Sequence, residues 1–216
     1  MTISLASAFA PHEALAGQLI AHATDSDDGS HDIAHILRVF RNALRIHALE
    51  GGDGKVLAAA VLLHDCVSVE KNSPLRAQAS RLAADKARSI LSGMGWDAGS
   101  VEAVAHAITT HSFSANIAPQ TIEAKILQDA DRLDAIGMVG AARCFYIAGR
   151  MASGLYDPAD PLAKHRPLDD KSFAIDHFEV KLFKLADGFQ TEAGRALATE
   201  RHERLKVIRD MFLDEI

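Results

Sequence analysis

The strongest constraint in this chain is the run Val56-Leu57-Ala58-Ala59-Ala60-Val61-Leu62-Leu63, which ends on His64-Asp65. Eight consecutive apolar residues fit a buried helix or a buried strand, and periodicity does not separate the two. The three central alanines favour helix, since alanine is the best helix former and is depleted in strands. A helix apolar on every side has no face to offer solvent, so it belongs in the middle of the molecule. Its end therefore carries an imidazole and a carboxylate to the edge of the core. Lost hydration there is offset either by a His-Asp hydrogen bond closing the helix or by a bound cation.

The rest of the chain divides into further helix-length pieces. Turn chemistry at Asp25–Gly29, Gly51–Gly54, Ser92–Gly95 and the proline-bearing stretch Gly154–Pro167 separates helices expected near 10–23, 31–49, 55–66, 74–92, 98–111, 120–136, 138–152, 172–187 and 191–213. Ser73-Pro74 offers an N-cap followed by proline at the first helical position, and Thr191 can cap the last helix. Arg201, Arg204 and Lys206 of that helix read as a solvated face. No alternating strand, internal repeat or low-complexity segment stands out, so the expectation is all-α. With 216 residues, one domain is expected, with a core over about 10–152 and C-terminal helices over about 170–213 packed onto it.

Charge and cysteine usage exclude several classes. The formal net charge is −6 with no Lys/Arg-rich run, so no nucleic-acid partner is expected. No apolar run reaches membrane-spanning length, so no membrane role is expected either. Two cysteines, Cys66 and Cys144, make neither a disulfide framework nor paired zinc spacing, and Cys66 reads as packing. Leu5–Ala10 lacks a basic n-region, because the first 37 residues hold no Lys or Arg. A reduced cytoplasm is the expected location.

Two more stretches carry chemistry. His31, His35, Arg38 and Asn42 are spaced four, three and four apart and share one helical face, opposite Ile33, Ile36, Phe40, Ala43 and Leu44. A merely solvated face is usually built of Glu and Lys; two imidazoles, a guanidinium and an amide suit a metal and a phosphate. In Gln128-Asp129-Ala130-Asp131-Arg132-Leu133-Asp134, Asp129 and Asp131 lie about 200° apart on a helical wheel, so both cannot enter one site. Asp131 and Asp134 share a face. Apolar periodicity does not choose between Asp129 and Asp131, since both sides of that helix have apolar flanks.

Taken in order, His35, His64-Asp65 and Asp131 resemble the pattern of the HD-domain superfamily of metal-dependent phosphohydrolases, with His, His-Asp and Asp on separate helices of an all-α bundle. The local wording is similar to a small, stand-alone bacterial branch: Ser30-His31-Asp32 with His35-Ile36-Leu37-Arg38-Val39, Leu63-His64-Asp65, Lys71-Asn72-Ser73, His111-Ser112-Phe113-Ser114 and Ala130-Asp131-Arg132-Leu133-Asp134-Ala135-Ile136-Gly137. The likeness extends to Ile175-Asp176-His177-Phe178 and Lys181-Leu182, and so to essentially the whole chain. One departure is Ser68, where some relatives carry a catalytic acid; Glu70 is the nearest carboxylate.

The resemblance implies His35, His64, Asp65 and Asp131 as ligands of one divalent ion, with Asp131 chosen over Asp129 by alignment alone and His31 the rival imidazole to His35. Two nitrogens and two carboxylates suit Mn²⁺ first, with Fe²⁺, Co²⁺, Ni²⁺, Mg²⁺ or Zn²⁺ as other candidates. Arg38 and Lys71 are expected to hold phosphate oxygens, and His31 to orient a ligand or touch phosphate. His111, ending its helix, is expected to donate a proton to the leaving group or to cap that helix, and Asp134 to assist the water. His177 and Lys181, at i and i+4, are expected to close over the substrate, whereas His106 reads as packing. The implied activity is hydrolysis of (deoxy)nucleoside triphosphates to monophosphate and pyrophosphate. The alternatives are a nucleoside monophosphate phosphomonoesterase, a non-catalytic nucleotide sensor, and a di-iron oxidative relative that would need His106 with His111. Oligomeric state is left open.

Overall fold

A computed structural model of the chain describes residues 4–23, 32–69, 78–112 and 116–216. Its fold is all-α, and among the described residues the only sheet-like feature is an isolated bridge between Gly154 and Phe173. The chain forms two compact units, Met1–Asp131 and Arg132–Ile216, each described by itself.

In the first unit a 3₁₀ turn, Leu5–Phe9, precedes α1 (Glu13–Leu19), α2 (Ile33–Glu50), α3 (Gly54–Leu63), α4 (Ala79–Gly93), α5 (Ala98–His111) and most of α6 (Ile122–Asp134). The apolar run is α3, and every residue from Val56 to Leu63 is buried, as a helix without a polar face requires. It packs against α1, α2, α4 and α5. The helix stops at His64, which leaves the His-Asp pair at the end of the most buried helix of this unit.

Helix starts follow local capping chemistry. The Asp32 carboxylate accepts from His35 N at 3.0 Å and opens α2, and the Asp97 carboxylate accepts from Ser100 N at 2.9 Å and opens α5. Asp53 caps α3 through Lys55 N and Val56 N, while its own N–H donates to Glu123 Oε1 at 2.8 Å. Gly52, at φ +102°, makes that turn possible: a Cβ there would stand 2.8 Å from Ile122 Cγ2 and 2.9 Å from Glu123 Oε1. Gly52→Ala should therefore lower stability by about 1–3 kcal/mol. A urea melt reads this directly, and an unchanged midpoint would contradict it. The expected start at Ser73-Pro74 lies outside the described residues.

The second unit holds α7 (Gly137–Arg150), α8 (Asp176–Val180), a 3₁₀ run (Leu182–Gly188) and α9 (Glu192–Asp214), with α7 packed on α9. Thr191 caps α9 through Gly194 N at 2.9 Å, as its sequence suggests. Arg201 departs from the solvated-face reading, because it donates to Leu133 O at 2.5 Å. The single helix expected over 172–187 is also corrected. Ala174 N and Ile175 N bond the carbonyls of Gly154 and Leu155 instead of the preceding turn, so no helix can run through them. The helix begins only at Asp176, whose buried carboxylate takes a two-pronged ion pair from Arg166 and the N–H of Asp169. It ends at Lys181, where φ −133° and ψ −54° break the helix.

Candidate metal centre

Four separate segments of the first unit meet at the end of α3. His35 comes from α2, His64 and Asp65 from the turn after α3, Asp131 from α6, and His111 from the last turn of α5. His35 Nε2 stands 3.3 Å from His64 Nε2, 3.6 Å from Asp65 Oδ2 and 3.5 Å from Asp131 Oδ1. His64 Nε2 is 3.6 Å from Asp65 Oδ2 and 4.0 Å from Asp131 Oδ1. Donor atoms bound at about 2.1 Å to one ion stand roughly 3–4 Å from one another, and these separations fall in that range.

Tautomers sharpen the point. His64 Nδ1 lies 2.7 Å from the Val61 carbonyl and His111 Nδ1 lies 2.6 Å from the Ile108 carbonyl. A carbonyl only accepts, so each Nδ1 carries a proton and each ring directs its Nε2 inward. Imidazole nitrogens and carboxylate oxygens thus face one another in two overlapping triads that share His64: His35, His64 and Asp131, and His64, Asp65 and His111. Packed acceptors repel, and a shared cation removes the repulsion, so the donor set fits a divalent ion. The His/Asp cluster can hold a metal.

Burial orders the cluster. His35 and His64 are each 1 % exposed, whereas the Asp65 and Asp131 side chains are 27 % and 28 % exposed. The imidazoles form a dry floor and the carboxylates a wetter rim, which leaves room for a solvent-borne reactant. His111 Nε2 lies 3.9 Å from Asp65 Oδ1, and its ring stands edge-on to His64 at 5.0 Å. Burial, then the neighbouring His64, pushes the His111 pKa below the ordinary imidazole value. This residue therefore caps α5 through Nδ1 and faces the cluster through Nε2, so capping leaves its second nitrogen toward the site.

Other candidates lie elsewhere. Asp129 is fully buried and is not part of the cluster, so the geometry favours the neighbour that alignment picks. Arg38 is half-buried on α2. Asn42, two turns after His35, turns its amide to the Ala130 carbonyl at 3.0 Å. Asp134 is buried in the second unit and its carboxylate is held by Arg143 at 2.9 Å. His177 Nδ1 meets Asp170 Oδ2 at 2.8 Å, and Lys181 is exposed at the break after α8. His106 accepts from Gln120 N at 3.1 Å, in line with packing. Cys66 is buried with Sγ on the Ala83 carbonyl, also in line with packing. His31, Lys71 and Glu70 lie outside the described residues. Two polar contacts escape a sequence reading altogether: Lys86 Nζ on the Cys66 carbonyl and Gln128 Nε2 on the Thr110 carbonyl, both at 2.7 Å. The one available signal is that Gln128 precedes Asp131 by three residues and so shares its face.

A helix-borne His, His-Asp, Asp constellation at the end of a buried helix defines a class, and comparison with known proteins agrees. The HD domain family model matches residues 32–136, the span from the cap of α2 to just past α6. The YpgQ protein of Bacillus subtilis is 36 % identical over 196 residues, covering 88 % of this chain and 87 % of that protein. A solved structure of YpgQ in complex with ADP superposes with a TM-score of 0.70 at 36 % identity, covering 92 % of this chain and 97 % of that one. An HD-superfamily hydrolase from Bacillus thuringiensis gives a TM-score of 0.70 at 29 % identity, covering 94 % and 97 %. The chain belongs to the HD-domain superfamily. No helix among the described residues is long and apolar enough to cross a membrane.

Proposed function

We propose that this protein is a metal-dependent phosphohydrolase that cleaves (deoxy)nucleoside triphosphates with water, giving nucleoside monophosphate and pyrophosphate. The observation that carries the reading is the convergence of His35, His64, Asp65 and Asp131 through contacts within 4.0 Å. These four would hold the ion, Mn²⁺ being the first candidate for a mixed nitrogen and carboxylate set. Such an ion supplies Lewis acidity toward water and phosphate. A nucleotide substrate is supported by the ADP found with the B. subtilis relative.

The chain's own groups take the remaining parts. Arg38 and Lys71 neutralise phosphate oxygens, since an anionic transition state needs fixed cations. His31 orients the neighbouring imidazole or contacts phosphate. The neutral Nε2 of His111 accepts or returns a proton at the reacting oxygen, which a depressed pKa suits. Asp134 is kept out of it, because its carboxylate is engaged by Arg143. A cytoplasmic site of action fits the nucleotide substrate.

The test is a nucleotide screen with Mn²⁺ that scores pyrophosphate and orthophosphate separately. Pyrophosphate from triphosphates is the expected product. Orthophosphate from monophosphates would assign a phosphomonoesterase instead, and tight nucleotide binding without turnover across several divalent ions would assign a sensor.

A further inference from the structure

Around the cluster, backbone carbonyls beside three of its members accept hydrogen bonds from side chains on other helices. Asn42 Nδ2 of α2 donates to the carbonyl of Ala130, which immediately precedes Asp131, at 3.0 Å. Gln128 Nε2 of α6 donates to the carbonyl of Thr110, which immediately precedes His111, at 2.7 Å. Lys86 Nζ of α4 reaches the carbonyl of Cys66, which immediately follows Asp65, at 2.7 Å. Both carboxamides are buried.

The two amides link α2 to α6 and α6 to α5. Asn42 lies two turns after His35 on α2, so its bond fixes the part of α6 bearing Asp131 against the face of α2 bearing His35. Gln128 lies on the Asp131 face of α6, so its bond fixes that face against the end of α5 that carries His111. Thr110 is in the last turn of α5, where carbonyls lack intrahelical donors, and the Gln128 amide fills that deficit. An apolar residue of equal size would avoid an unsatisfied acceptor, yet Gln128 is buried with Oε1 lacking a hydrogen-bond partner among the described residues. That cost points to a role for its donor half.

We propose that Asn42 and Gln128 are positioning residues: by pinning the carbonyls next to Asp131 and His111 they set the spacing of the donor atoms, and with it the affinity for the ion. This rests on reading the cluster as a metal centre. Donors held in place before binding lose less freedom when the ion arrives, and a carboxylate displaced by a fraction of an ångström forfeits that advantage.

The experiment titrates the full-length apo protein with Mn²⁺ alone and follows the signal of free Mn²⁺ by electron paramagnetic resonance. Asn42→Leu and Gln128→Met keep side-chain volume and remove the donor. Each should weaken Mn²⁺ binding about tenfold or more, with the helical circular dichroism retained. Asn42→Ala removes the donor without adding bulk or charge and stays measurable if the leucine variant does not fold; it should weaken binding to the same extent. Leu91→Ala, a buried residue of α4 without a carbonyl contact of this kind, should lower the melting temperature yet hold affinity within about twofold. Parent-like affinity in the Asn42 and Gln128 variants, or affinity that falls with melting temperature equally in all variants including Leu91→Ala, overturns the positioning role while leaving the metal centre intact. A parent protein that takes up no Mn²⁺ overturns the metal reading itself, and this inference with it.

Discussion

His64→Ala should abolish the proposed divalent-ion binding and hydrolysis together while the helices stay folded. His64 sits at the centre of the donor set: its Nε2 is within 4.0 Å of donor atoms on His35, Asp65 and Asp131, and its Nδ1 is committed to the Val61 carbonyl. Alanine removes one ligand and the ring against which His35 and His111 are arranged. Without the ion, alanine costs the packing of the buried ring and its Nδ1 bond to the Val61 carbonyl. Stability therefore separates the two effects. At a Mn²⁺ concentration of about one hundred times Kd, the parent should gain about 2.7 kcal/mol, or roughly 5–10 °C in melting temperature for a chain of this size. The variant should show no Mn²⁺-dependent gain, and its apo melting temperature should fall below that of the apo parent by the packing loss alone. Calorimetry with and without Mn²⁺ measures both. A full Mn²⁺ shift in His64→Ala would remove this residue from the metal centre.

Much of this arrangement is legible in the sequence, and the parts that are not share a cause. The apolar run of α3 is tipped by its three alanines toward a helix with no solvent face, and its end brings His64-Asp65 to the cluster. The cap at Thr191 is local chemistry, read within three residues of the chain; those at Asp32, Asp53 and Asp97 act over the same short span but are not among the expected caps. Long-range contacts are different. Asp129 and Asp131 are indistinguishable by periodicity because α6 is apolar on both sides, and only its packing shows which carboxylate meets His35. Asn42 shares a face with His35, yet its amide is spent on a carbonyl 88 residues away. The expected helix over 172–187 fails for the same reason, since the carbonyls that capture Ala174 and Ile175 belong to Gly154 and Leu155. Helix propensity is local, and a tertiary hydrogen bond overrides it.

Arg143→Met should be strongly destabilising, and its partner explains why. The Asp134 carboxylate is 1 % exposed and meets Arg143 Nη1 at 2.9 Å, and the same nitrogen lies 3.4 Å from the Asp134 carbonyl. Methionine keeps the apolar stem and removes the guanidinium, so a carboxylate stays buried without its counter-charge. Breaking one half of a buried pair costs about 3–5 kcal/mol, a drop of roughly 6–20 °C in melting temperature at this chain length. Removing both halves is different, because no buried charge is left behind. The double variant Asp134→Leu with Arg143→Met should recover most of the loss, giving a coupling of about 2 kcal/mol or more in a double-mutant cycle. The cycle also decides what Asp134 does. As a structural anion it can be exchanged for leucine in that background with Mn²⁺ affinity and turnover retained. A double variant that folds, binds Mn²⁺ and has lost turnover would instead return Asp134 to the reaction, as the carboxylate that assists the water.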